Sequence, residues 1–243
     1  MVNSNGAILW EGDSTIDGKP IVLIATGLEK SSRNTKTGAM IQTWILRSDL
    51  NPQEANVTGE DRSICGDCPH RGTVENGRNV GRSCYVLMFA PISIYKAYVG
   101  GRYAFGDHTS LAGLTIRLGS YGDPAAIPYE VWESLLKDSN RGSGYTHQWQ
   151  SCDPRFRKYL MASVDTIAES ETAQSAGWRT FRIGNTKQAG EFLCPASAEA
   201  GKKLDCATCR ACSGLSAPNR ANVYIPAHGM PSKVKTIQER AET

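Results

Sequence analysis

The sequence predicts an α/β protein: a barrel-like or open sheet of parallel strands with helices, carrying a small β-rich N-terminal appendage. From about residue 86, short apolar runs alternate with helix-forming stretches, the trace that strand–helix units leave in a sequence. Turn residues follow those runs at Gly106-Asp107 and Gly122-Asp123-Pro124, where a chain leaving a strand has to reverse. Before residue 50 the short runs recur without any helical period.

Taken in order, residues 1–58 form the β-rich region. Ala7 to Trp10, Pro20 to Ala25 and Met40 to Leu46 are its strands, with the turn Asp17-Gly18-Lys19-Pro20 between the first two. Residues 59–231 form a metal-binding β/α domain. In it, Ser93 to Val99 is expected to be helical, Arg102 to Phe105 short and extended, and Leu114 to Leu118 a strand. Pro128 to Lys137 reads as a helix, because Val131/Leu135 and Trp132/Leu136 supply an i, i+4 apolar face. Gly144 to Trp149, Tyr159 to Val164, Trp178 to Ile183 and Asn222 to Ile225 are further strands. Thr166 and Glu169 have the capping-box spacing that opens a helix. Residues 232–243 are a polar tail, a helix or a disordered end, without chemistry.

The 243 residues hold 27 basic and 24 acidic side chains, so the net charge of +3 does not by itself indicate a nucleic-acid binder. No apolar run reaches membrane-spanning length, and MVNSNGAILWEGD lacks the basic start and long apolar core of a secretion signal. A cytoplasmic, reducing setting with no membrane partner is therefore expected. There, clustered cysteines indicate metal more than disulfides.

Cysteine placement is the strongest chemical signal. Cys194, Cys206, Cys209 and Cys212 are spaced C-x11-C-x2-C-x2-C. Two-residue gaps turn neighbouring thiolates onto one centre, either tetrahedral zinc or a [4Fe–4S] cluster. The three close thiols and Cys194-Pro195 favour iron–sulfur; His228, fifteen residues past Cys212, keeps zinc open with His228 replacing Cys194. A second group, Cys65, Cys68 and Cys84, has His70 beside it, and Cys152 stands as a distant fourth ligand. Asp107, Asp123, His147 and Asp165 fall at or just beyond strand carboxyl ends, where β/α folds assemble sites. Asp123, between glycine and proline, is the foremost catalytic candidate, with Asp107 and His147 beside it. Asp165 reads better as a helix cap.

The combination of Cys65-x2-Cys68-Pro69, Cys84-Tyr85, Arg117…Gly122-Asp123, Trp132, Tyr145-Thr-His147, Cys194-Pro195 and Cys206-x2-Cys209-x2-Cys212 resembles a group of mostly uncharacterised proteins. Bacteriophages and other mobile elements encode them, and the likeness spans roughly residues 60–230. It implies a mobile-element setting, hence a host cytoplasm. More distantly, Cys65, Cys68 and Cys84 are placed like the cluster cysteines of radical S-adenosylmethionine enzymes, after a first β/α strand. The chain departs from their C-x3-C-x2-C spacing. Cys206, Cys209, Cys212 and His228 are similar in type and order to the zinc ligands of queuine-type transglycosylases, again with different spacing.

These observations support an enzyme acting on a nucleic-acid base or nucleotide. In a transglycosylase version Asp123 attacks the sugar carbon, with Asp107 or Asp165 as general acid or base. In a redox version an iron–sulfur cluster passes single electrons. The alternatives are a zinc-stapled nucleic-acid-binding module using Lys202, Lys203, Arg210 and Arg220 on phosphates, and a metal-stabilised structural or regulatory protein.

Overall fold

The structure, a computed structural model, describes residues 3–32, 34–201, 204–218 and 221–241. The chain opens with β1 (Gly6–Asp13), β2 (Pro20–Thr26) and β3 (Ile41–Arg47). There follow α1 (Pro52–Thr58), α2 (Arg62–Cys65), the hairpin β4 (Thr73–Glu75) and β5 (Arg78–Val80), α3 (Phe89–Val99) and the two-residue β6 (Ala104–Phe105). Next come β7 (Thr115–Tyr121), α4 (Tyr129–Leu136), β8 (Arg141–Thr146), β9 (Leu160–Val164), α5 (Ile167–Ser175) and β10 (Thr180–Gly184). β11 (Glu191–Leu193), α6 (Cys206–Cys209), β12 (Asn222–Pro226) and α7 (Pro231–Ala241) complete the described chain.

Ten strands form one sheet in the order β11-β12-β10-β9-β8-β7-β3-β2-β1-β6. β3, β7, β8, β9, β10 and β12 pair in parallel, each with the next. β1 and β2 continue the sheet beyond β3 as antiparallel strands. The fold is therefore mixed α/β with a mostly parallel sheet. From β3 to β10 the parallel strands follow chain order, and β11 reverses it by pairing outside β12. Because these strands all run in parallel, their carboxyl ends fall on a single edge. The β-rich N-terminal strands are joined to this sheet directly, since Ile41 pairs with Ile116 and Gln42 with Arg117.

Alternation along the strands sends side chains to two different faces. On one face Ile116, Leu118, Leu160, Ala162 and Val164 share the main core with Trp132, Leu135 and Leu136 of α4 and Ala173 of α5. Trp132 is fully buried and donates its indole N–H to Pro124 O at 2.9 Å, so its one polar atom is satisfied. On the other face, register aligns Arg117 with Ser143, Tyr145 with Met161, and Ser163 with Phe181. A smaller core of Met161, Phe181, Ile183, Val223, Ile225 and Ile237 covers part of that face.

Some boundaries differ from those the sequence predicts. β8 starts at Arg141 and stops before His147, because Gly142 and Gly144 weaken its strand signature. β11 is only three residues long, too short for a periodic pattern. The capping box at Thr166 and Glu169 forms as expected. Of the two readings of the polar C-terminal segment the helical one holds: it is largely helix α7, whose Ile237 is completely buried. No helix among the described residues is long and apolar enough to cross a membrane.

Candidate functional site

The carboxyl edge of the parallel sheet collects polar side chains from three adjacent strands. Asp123 follows β7 by two residues, His147 follows β8 directly, and Asp165 follows β9 directly. The segment that follows β3 through α1 and α2 brings Cys65, at the end of α2, and Cys68 to the same edge. Glycine is needed in that segment: Gly66 has φ +56°, and a Cβ on it would run into the side chain of Gln148. Gln148 donates Nε2–H to Cys65 O at 3.2 Å, and Asp123 N donates to Ile64 O at 2.6 Å. The first cysteine loop is thereby tied to the ends of β7 and β8.

Asp123 is buried and uses both carboxylate oxygens. Oδ1 accepts from Ala125 N at 2.9 Å and Oδ2 from His147 N at 2.8 Å. It shapes the turn after β7 and fixes the backbone of His147 at once. Burial pushes its pKa up, against the pull of the backbone N–H of Ala125 and the charge of His147.

Asp165 does not cap α5, as the sequence suggests it should; Thr166 is the N-cap and exchanges bonds with Glu169. Asp165 instead turns inward, with Oδ1 at 3.1 Å from His70 Nε2. Its Oδ2 is buried with no hydrogen-bond partner among the described residues. Burial alone raises the Asp165 pKa, but the hydrogen bond and charge of His70, with His147 and Arg240, bring it below the usual carboxylate value. His70 Nδ1 lies 2.8 Å from Ser83 Oγ, which also accepts from Arg240 of α7 at 3.0 Å. The rings of His70 and His147 meet edge to face at 5.5 Å. Ligand atoms of His70, His147 and Asp165 lie within 4.8 Å of one another, the one such trio of His, Cys, Asp or Glu among the described residues.

Asp107 stands apart from this group. It follows β6, the far edge strand of the sheet, and caps the short 3-10 turn His108–Leu111, accepting from Thr109 N at 2.8 Å.

Cys65, Cys68 and Cys84 are half-buried neighbours of the trio. Cys68 Sγ lies 3.9 Å from His147 Nε2, and the thiol of Cys65 feels those of Cys68 and Cys84. Burial raises all three thiols, Cys68 to about 12. The backbone of Cys84 is held from two sides: its N donates to His70 O at 2.9 Å, and Lys233 of α7 donates to its O at 2.5 Å. Cys152 lies elsewhere, in an open cleft of about 480 Å³ with Arg62, Tyr129, Gln148, Asp153 and Phe156.

The second cysteine group sits on the sheet face opposite α4 and α5. Cys194 follows β11, Cys206 and Cys209 lie in α6, and Cys212 follows it; all four line one small pocket with Lys36 and Tyr145. Asp205 starts α6 by accepting from Thr208 N at 2.7 Å, and Cys206 N donates to Lys36 O at 2.8 Å. Ser143 of β8 donates to Cys212 O at 2.9 Å. Burial raises the Cys212 thiol to about 12, against a hydrogen bond from Tyr145. The Arg117 guanidinium lies 4.2 Å over the Tyr145 ring. Burial works to lower its pKa, yet Tyr145 and the Cys206 and Cys212 thiols keep it above the ordinary arginine value. No three cysteine sulfurs among the described residues lie mutually within 4.8 Å.

His228 is not among the residues lining this pocket: it stacks on Tyr85 at 5.0 Å, with Nδ1 2.9 Å from Pro226 O. Of the four cations expected on phosphates, Arg210 is exposed, whereas Lys202, Lys203 and Arg220 lie outside the described residues. Sequence reasoning assigns no role to Ser83, Arg240 or the Arg117–Tyr145 pair. Arg117 has a usable signal, a charge in the middle of the apolar run Leu114 to Leu118; Ser83 and Arg240 have none. Comparison of the chain with protein-family models, curated proteins and solved structures finds no match in any of the three.

Proposed function

We propose that this chain is a mobile-element iron–sulfur enzyme working in a reducing cytoplasm, with Cys194, Cys206, Cys209 and Cys212 holding a [4Fe–4S] cluster. The observation that carries the reading is the gathering of these four cysteines around one pocket, with the half-buried Arg117 guanidinium close to two of them. A thiolate-held cluster is a net anion, and a nearby half-buried arginine offsets part of that charge. Iron–sulfur is favoured over zinc by the C-x2-C-x2-C run of Cys206, Cys209 and Cys212 and by the Cys194-Pro195 pair.

Chemistry is assigned to the carboxyl edge, where Cys65, Cys68 and Cys84 adjoin Asp123, His147 and Asp165. Asp123 acts there as a positioning residue, since both oxygens are engaged by backbone N–H groups. The cleft beside Cys152 reaches this edge through Gln148 and is where substrate would enter. The substrate class, a nucleic-acid base or nucleotide, rests on the resemblance noted in the sequence.

The test is iron, zinc and acid-labile sulfide analysis with an absorption spectrum on protein purified without oxygen. About four irons and four sulfides per chain with a broad visible band support one cluster, and about eight of each support a second at Cys65, Cys68 and Cys84. One or two colourless zincs without sulfide would overturn the reading in favour of a zinc-stapled binding module.

A further inference from the structure

We propose that His70, His147 and Asp165 form a separate mononuclear site for a divalent transition-metal ion at the carboxyl edge. It does not depend on the iron–sulfur reading above. The three ligands come from three different segments: His70 from the turn after α2, His147 from just past β8 and Asp165 from just past β9. Their ligand atoms lie within 4.8 Å of one another. His70 Nε2 and Asp165 Oδ1 are 3.1 Å apart. Two ligands bound at about 2.1 Å to one ion at right angles are separated by about 3 Å.

The surroundings are those of a metal ligand set. The side chains of His70 and Asp165 are 7% and 6% exposed, so a charge placed between them is shielded from water. Asp165 Oδ2 is buried and has no hydrogen-bond partner among the described residues, a deficit that a cation would fill. His70 presents Nε2 inward while its Nδ1 faces Ser83 Oγ at 2.8 Å, and Arg240 holds that hydroxyl. An outer partner of this kind fixes the ring orientation of a ligating histidine. Two imidazoles and one carboxylate with positions left open make the donor set of non-haem iron(II) sites, and zinc accepts it too.

The experiment counts metal against sulfide. Protein handled without oxygen is incubated with excess Fe²⁺, or in parallel with Zn²⁺, desalted, and analysed for metal and acid-labile sulfide. Wild type is expected to carry one metal per chain beyond the number matched by sulfide and any cysteine-held zinc. His147→Gln and Asp165→Asn should each lose that one metal and keep the sulfide count. Thermal melting shows whether each variant is folded; if Asp165→Asn does not fold, the half-buried His147→Gln decides alone. Identical metal counts in wild type and a folded His147→Gln would overturn the site, leaving His70 and Asp165 a packing hydrogen bond. Absence of sulfide throughout would instead overturn the iron–sulfur reading, while the difference of one metal still tests the trio.

Discussion

The two cysteine groups use the same ligand type in different company. The group at Cys194, Cys206, Cys209 and Cys212 rests on the middle of the sheet face, against Tyr145, Ser143 and the small core around Phe181. Among the described residues, no carboxylate or imidazole lines its pocket. The group at Cys65, Cys68 and Cys84 lies at the strand ends, with His147 3.9 Å from Cys68 and buried carboxylates on either side. One setting suits a centre that is held and charge-balanced; the other brings proton-carrying groups to a metal or substrate. One strand and the residue just past it serve both, since Tyr145 of β8 reaches the first and His147, directly after β8, the second. Two residues along a strand span only about 6.6 Å.

Breaking the held group should have the largest effect. Cys209→Ser is expected to lose the metal of that centre and most soluble protein, read by metal analysis and yield. A metal-replete, normally folded variant would remove this group from the metal assignment. Next in size is Trp132→Ala, which empties the space behind both β7 and β8. It should destabilise the fold by about 3–5 kcal/mol in urea unfolding, yet leave both cysteine groups loaded in the protein that remains folded. Selective loss of one centre would mean that α4 supports the two regions unequally.

Asp123→Asn bears on the strand-end region alone. The amide can replace one acceptor but turns a donor toward the other backbone N–H, at a cost of about 1–3 kcal/mol. Activity should fall at least tenfold while the four-cysteine centre stays intact; full activity would reduce Asp123 to a turn residue. A smaller effect is expected from Arg117→Leu. Removing a half-buried positive charge disfavours the reduced, more negative cluster, so the potential of the Cys194–Cys212 centre should become more negative in a redox titration. An unchanged potential would uncouple Arg117 from that centre. Smallest is Asp107→Ala, at the exposed cap behind β6, which should leave metal content and activity unchanged.

How much of this was legible in the sequence depends on whether the signal was local. The strand–helix alternation, the Thr166 capping box and the strand-end positions of Asp123, His147 and Asp165 follow from turn chemistry and periodicity within a few residues. The pairing of β3 with β7 does not, because it joins Gln42 to Arg117 across 75 residues of sequence. Asp165 reads as a cap by its neighbours and becomes the partner of His70 only when residues 95 apart in sequence meet. Likewise, α7 reads as polar and without chemistry because Ile237 is its one deeply buried residue among those described, while Lys233 reaches Cys84 O and Arg240 reaches Ser83 Oγ through long, flexible stems.

The pairing of β3 with β7 also decides where the chain tolerates cutting. Residue 58 follows a composition change and invites truncation at that point. Removing β1 to β3 would uncover the backbone donors and acceptors of β7 along a hydrophobic strand, with Ile116 and Leu118 newly accessible. An unpaired edge of that kind recruits strands from other molecules. The shortened protein should therefore aggregate rather than fold as a smaller version of itself.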